Sequence, residues 1–177
     1  MRKISRYYFG KSGDTAVPGD YDGDGCADVA IFRDGLWALK EISRYYYGSN
    51  NDLPLVGDFD GDGSRDIAIF RGNTGLWAIK GKTRLYYGNS ADIPLTRDFD
   101  GNGIDELSIF RPNNGLWAIR NFSRIYFGRS GDIPVPADLE GNPSANICIF
   151  RPSTGLWAIR GLSRIYFGGA GDLPVTR

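Results

Sequence analysis

Four tryptophans, Trp37, Trp77, Trp117 and Trp157, stand 40 residues apart, each inside the phrase Gly-Leu-Trp-Ala-Ile/Leu-Lys/Arg. A period near 40 is the length of one supersecondary unit that cannot bury its apolar faces alone and must stack on copies of itself. A Phe-Arg pair precedes each phrase, at Phe32-Arg33, Phe70-Arg71, Phe110-Arg111 and Phe150-Arg151. An acidic Gly-rich loop precedes that, starting at Asp20, Asp58, Asp98 and Asp138. Two further phrases occur five times. One is Ser/Thr-Arg-x-Tyr-Phe/Tyr-Gly, starting at Ser5, Ser43, Thr83, Ser123 and Ser163. The other centres on Asp14, Asp52, Asp92, Asp132 and Asp172, followed in four copies by Pro and in the first by Ala16.

Each unit reads as four short strands, a to d from the inside out, separated by turn signals such as Gly-Asp-Gly and Gly-Asn-Thr-Gly. Gly is 25 of 177 residues and aromatics are 14%, the composition of many turns and short strands. Alternation is weak in segments such as Asp66-Ile-Ala-Ile-Phe70, as expected of sheets covered on both faces. The expected fold is all-β: a β-propeller of four-stranded blades of about 40 residues, four complete and a fifth split or incomplete. A stacked β-solenoid is the alternative. The expected blades run over 14–48, 52–88, 92–128 and 132–168. A split blade contributes strand d at 4–10 and strand a at 172–177, all within a single repeat domain over 1–177.

The acidic loops carry the chemistry. In the first, Asp20, Asp22, Asp24 and Asp28 hold positions 1, 3, 5 and 9, Gly25 holds position 6, and Cys26 offers its carbonyl at position 7. Hard oxygen donors at odd spacings around a sharp glycine turn are the ligand logic of a calcium loop. The second loop repeats it with Asp58, Asp60, Asp62, the Ser64 carbonyl and Asp66. The third does so with Asp98, Asp100, Asn102, the Ile104 carbonyl and Glu106. These are not EF-hands, because position 12 is Ile31, Ile69 or Ile109 and the flanks read as strands. The fourth loop begins at Asp138 but has Pro143 at position 6 and Asn146 at position 9, so a weak or absent site is expected there. An ordinary metal-free Asp-Gly turn is the simpler reading, yet a turn needs one Asp. Four uncompensated carboxylates on nine residues would repel each other.

The chain resembles the FG-GAP repeats, also met as VCBS-type repeats, of bacterial surface proteins and of the integrin α-subunit propeller. The matching residues are Phe9-Gly10, Phe127-Gly128 and Phe167-Gly168, the Asp-x-Asp-Gly-Asp-Gly-x-x-Asp loops, and the Ile-Phe-Arg phrases. The resemblance implies propeller blades with Ca2+ between strands a and b. It also implies a role in adhesion, in glycan or protein binding, or as an accessory domain of a secreted enzyme. It departs from the family at the fourth loop, at Ala16 and in the number of blades.

Other features narrow the classes. Lys plus Arg and Asp plus Glu are 21 each, so no basic excess speaks for nucleic acid. There is no His, hence neither the commonest general base nor the commonest zinc ligand, and no nucleophile elbow; the chain is not expected to be an enzyme. No apolar run suits membrane insertion, and the N-terminal residues do not form a signal peptide. Millimolar-range calcium loops suit an extracellular or cell-surface setting, as part of a longer chain. The tryptophans read as inter-blade packing rather than sugar platforms, and the strand-d tyrosines as wedges. The recurrent arginines read as partners of the recurrent aspartates Asp14 to Asp172. The expected function is a non-catalytic calcium-binding module for a glycan or protein ligand, with a ligand-free structural segment or a hydrolase accessory domain as alternatives. The split fifth blade also suits a homo-oligomer that shares or completes blades.

Overall fold

The computed structural model describes residue 6 and residues 8–174. Among these there are sixteen strands and no helix, arranged as four separate antiparallel four-stranded sheets. The first contains β1 (Thr15–Ala16), β2 (Ala30–Arg33), β3 (Leu36–Leu39) and β4 (Ser43–Tyr46). The second contains β5 (Leu53–Gly57), β6 (Asp66–Arg71), β7 (Leu76–Ile79) and β8 (Thr83–Tyr86). The third contains β9 (Ile93–Arg97), β10 (Glu106–Arg111), β11 (Leu116–Ile119) and β12 (Ser123–Tyr126). The fourth contains β13 (Ile133–Pro134), β14 (Cys148–Arg151), β15 (Leu156–Ile159) and β16 (Arg164–Tyr166). Every sheet is a simple meander in chain order.

The sheets stack face to face through one recurring interface. In each, the Phe of the second strand lies opposite the Trp of the third, as in Phe70↔Trp77. Their ring centroids are 5.0–5.2 Å apart in all four copies. That aromatic face packs on the next sheet: Phe32, Trp37 and Leu39 against Ile67, Ile69 and Ala78. The second and third sheets meet the same way through Trp77, Ile109 and Ala118, the third and fourth through Trp117, Ile149 and Ala158. Trp37, Trp77 and Trp117 are fully buried, as the packing reading expects. Each indole N–H is satisfied inside its own sheet, Trp77 Nε1 donating to the Tyr87 carbonyl at 2.9 Å. That closeness requires glycine. A Cβ on Gly75, whose φ is +69°, would stand 2.4 Å from the Gly88 carbonyl oxygen.

The first strands lie side by side across sheets. Thr96 Oγ1 of β9 donates to the Val56 carbonyl of β5 at 2.8 Å. Leu55, Leu95 and Val135 line one shared space together with Pro174. The outer edge is the fourth strand. Tyr46, Tyr86, Tyr126 and Tyr166 there are 71–84% exposed, so they do not wedge between sheets as expected. The strand's alternation sends the following Tyr47, Tyr87 and Phe127 inward instead.

Two first strands are shorter than the repeat suggests. β1 and β13 have two residues each and continue only as the isolated bridges Gly19↔Asp28 and Ala137↔Asn146. Pro18 and Pro136 stand where β5 and β9 have Val56 and Thr96. Proline is tolerated on an edge strand, but its fixed φ departs from the fully extended ladder. Of the split blade, residues 1–5, 7 and 175–177 lie outside the described residues. The described parts, residue 6, 8–10 and 172–174, carry no strand.

Candidate metal centres

Each acidic loop joins the first strand of a sheet to the second, so all four emerge at the same end of the strands. Position 1 organises the loop. Asp20 accepts the N–H of Gly23 at 2.7 Å on Oδ1 and that of Gly25 at 2.8 Å on Oδ2. Asp58 does the same with Gly61 and Gly63, and Asp98 with Gly101 and Gly103. The position-6 glycines have φ of +83°, +88° and +89°, which explains the residue type. Pro143 at this place in the fourth loop has neither that φ nor an N–H, and Asp138 takes only the N–H groups of Glu140, Gly141 and Asn142.

Position 5 reaches forward to the N–H of position 7: Asp24 to Cys26, Asp62 to Ser64 and Asn102 to Ile104, at 2.7–2.8 Å. Position 9, just before or on the second strand, reaches back to the N–H of position 2. Asp28 accepts from Tyr21 at 2.8 Å, Asp66 from Phe59 at 3.0 Å and Glu106 from Phe99 at 2.7 Å. These bonds fold the carboxylates inward. Oxygens of Asp20, Asp22 and Asp28 lie within 4.8 Å of one another, as do those of Asp58, Asp60 and Asp62, and of Asp98, Asp100 and Glu106. Calcium–oxygen bonds of about 2.3–2.6 Å place two ligands of one ion at most about 4.6–5.2 Å apart, so each trio fits around one ion. Burial, with Asp100 and Asp98 beside it, holds the Glu106 carboxyl above its ordinary value.

Not every expected ligand joins its cluster. Asp24 lies outside the first trio and Asp66 outside the second. In the second loop a lysine lies against both Asp60, inside the trio, and Asp66, outside it. Lys82 Nζ pairs with Asp60 Oδ2 and approaches Asp66 Oδ1 at 3.3 Å. Its hydrogen bond lowers the Asp60 pKa and raises its own. The same repeat position holds Ile42, Phe122 and Leu162 in the other units. Lys82 is thus legible as the one charged residue in that column, although its reach to the neighbouring loop is not. In the fourth loop Asn146 Nδ2 donates to Glu140 Oε2 at 2.7 Å, closing the loop with its own side chains.

Neighbouring loops are tied together. The residue at position 8 of one loop donates its N–H to the position-1 carbonyl of the loop before: Arg65 to Asp20, Asp105 to Asp58 and Ala145 to Asp98, at 2.6–2.7 Å. Asp105 adds a side chain to this joint, accepting from Asp58 N–H at 3.1 Å and from Arg65 Nη1 at 2.6 Å. Burial pushes its carboxyl up more than Arg65 pulls it down. The position-8 residues otherwise read as plain loop filler, so nothing in the sequence singles out Asp105.

At the opposite end of the strands lie the turns between second and third strands and the loops between sheets. The recurrent aspartates work here as clamps. Asp52 Oδ1 and Oδ2 accept from Arg71 Nε and Nη2 at 2.7 and 2.8 Å; Asp92–Arg111 and Asp132–Arg151 repeat this, and Asp14 pairs with Arg33. Of the two arginine series, the second-strand one is the partner. Arg44, Arg84, Arg124 and Arg164 on the outer strands are exposed.

The class defined by this geometry is an all-β repeat protein whose stacked four-stranded sheets present a row of acidic loops. Comparison with protein-family models, curated proteins and solved structures gives no match.

Proposed function

We propose that the chain is a non-catalytic β-propeller module whose first three acidic loops are pinned by Ca2+ and whose opposite face receives a glycan or protein ligand outside the cell. The observation that carries the reading is the convergence of three carboxylates in each of three equivalent loops. Like charges held this close repel, and a divalent cation turns that cost into a clamp on the hairpin. The propeller reading is supported by the meander sheets, the repeated aromatic interface and the first strands gathered on one shared space. Ligand binding is assigned to the end bearing the sheet-to-sheet loops, because loops held by rigid clamps such as Asp52–Arg71 are preformed binding surfaces.

Thermal melting in calcium and in chelator, beside calorimetric titration, tests the metal. At ten times the dissociation constant each site adds about 1.4 kcal/mol. The melting temperature is expected to rise with calcium, and Asp22→Ala is expected to remove part of the rise while Asn142→Ala leaves it. Equal melting in both buffers, with no heat of binding, rejects the reading.

A further inference from the structure

Among the described residues, none covers the aromatic face of the fourth sheet as the next sheet covers the others. Its counterparts bury Trp37, Trp77 and Trp117 completely, whereas Trp157 is only half-buried, with Ile165 54% and Phe167 78% exposed. The opposite face of the first sheet is short of a neighbour as well. Val29 is 43% exposed, where the equivalent Ile67, Leu107 and Ile147 are 6–8%. A glycine marks the missing contact. A Cβ on Gly48, Gly88 or Gly128 would meet an isoleucine of the next sheet (Ile69, Ile109 or Ile149), but Gly168 meets none. The repeat-equivalent isoleucine is Ile31, against which Gly10 stands.

We propose that a second copy of this chain docks on the Trp157 face through its own first sheet, continuing the interface made three times within the chain. On that first sheet, residues 8–16 occupy the place that residues 166–174 of the copy bearing the Trp157 face take on docking, so docking displaces them. The native occupant is the weaker one. β1 is two exposed residues, Thr15 and Ala16, where the other segment has Leu173-Pro174, the repeat's usual pair. Among the described residues Asp172 is the recurrent aspartate that pairs with no arginine; its carboxylate accepts the Gly169 N–H. After docking it faces Arg33 of the second copy, in place of Asp14. The contact is head-to-tail, and two copies close it as eight sheets; three would make twelve, beyond the usual four to eight blades. This closure rests on the propeller reading; the face pairing does not.

Sedimentation velocity over a micromolar concentration series tests it. The wild type is expected to be a dimer. Phe167→Asp and Val29→Asp, both at exposed positions, are each expected to be monomers with unchanged circular dichroism. An equimolar mixture of the two is expected to dimerise again, more weakly, since one intact face of each kind remains. Asp172→Ala is expected to weaken dimerisation about tenfold, and Asp14→Ala to strengthen it by freeing Arg33. A purely structural role for Asp14 would not give that sign. A monomeric wild type, or a mixture that stays monomeric, overturns the docking. An open ladder of higher oligomers overturns the closed dimer and the propeller reading with it.

Discussion

Lys82 shows how much one side chain changes a repeated site. Its ammonium lies against two of the four carboxylates that the sequence pattern assigns to the second loop. An ammonium and a calcium ion compete for the same oxygens, so the second loop is expected to bind calcium most weakly of the three. Lys82→Met is expected to add one calcium equivalent, or to tighten one site about tenfold, in a calorimetric titration. An unchanged stoichiometry and affinity would show that the ammonium swings aside at no cost. The pattern of Asp and Gly at fixed offsets made the loops legible, because each offset meets a particular backbone N–H. Lys82 was not legible as a competitor, because its contact depends on how the turn between β7 and β8 sits over the acidic loop.

Within an element, the Asp–Arg clamp joins the loop before the first strand to the end of the second. Asp52 has no exposed side-chain surface, while Arg71 is about one-third exposed. The hydrogen bonds from Arg71 hold the Asp52 carboxyl below its usual range. A carboxyl lowered on folding stabilises the fold above its unfolded pKa, about 3.9, and that contribution fades as pH falls through the folded value. Asp52→Asn is therefore expected to cost about 1–3 kcal/mol near neutral pH, reduced from the fully buried case by solvent at Arg71. The difference from wild type should stay level above about pH 5 and shrink below about pH 4 in urea titrations. A difference that grows on acidification would reverse the assignment. The sequence contained both partners, 19 residues apart in every unit, but offered two arginine series. Only the register, which brings Leu53 opposite Phe70 beside Arg71, distinguishes them. Strand length was less legible: Pro18 and Pro136 shorten β1 and β13, although the repeat phrases around them are intact.

At the scale of the molecule, the period of 40 made the four sheets legible before any contact was known. The stacking faces followed from the invariant Trp within each unit. The ends did not, because equivalent residues have different neighbours there: Trp117 is buried and Trp157 is not, in the same phrase. The two cysteines offer a measurement of the whole stack. Both are free; Cys26 is exposed on the first loop, and Cys148 is buried in β14 with its thiol pushed up to about 11 by burial. Asp24 beside Cys26 raises that thiol too, which slows its reaction without hiding it. A disulfide reagent at pH 8 is expected to take up one equivalent in the native protein. The second should follow at the rate of unfolding, set by denaturant. Two thiols reacting alike without denaturant would mean that the fourth sheet opens by itself.

The backbone bond from position 8 of one loop to position 1 of the loop before it has a consequence for how such chains change over time. Neither group of that bond belongs to a side chain, so the bond itself is indifferent to which two repeats it connects, although Asp105 reinforces one joint with its carboxylate. An unequal crossover between any two repeats in the gene would delete or insert a whole unit and leave every remaining joint of the same kind. The number of sheets is then a heritable variable that can drift by whole steps, while the fold of each step is held constant.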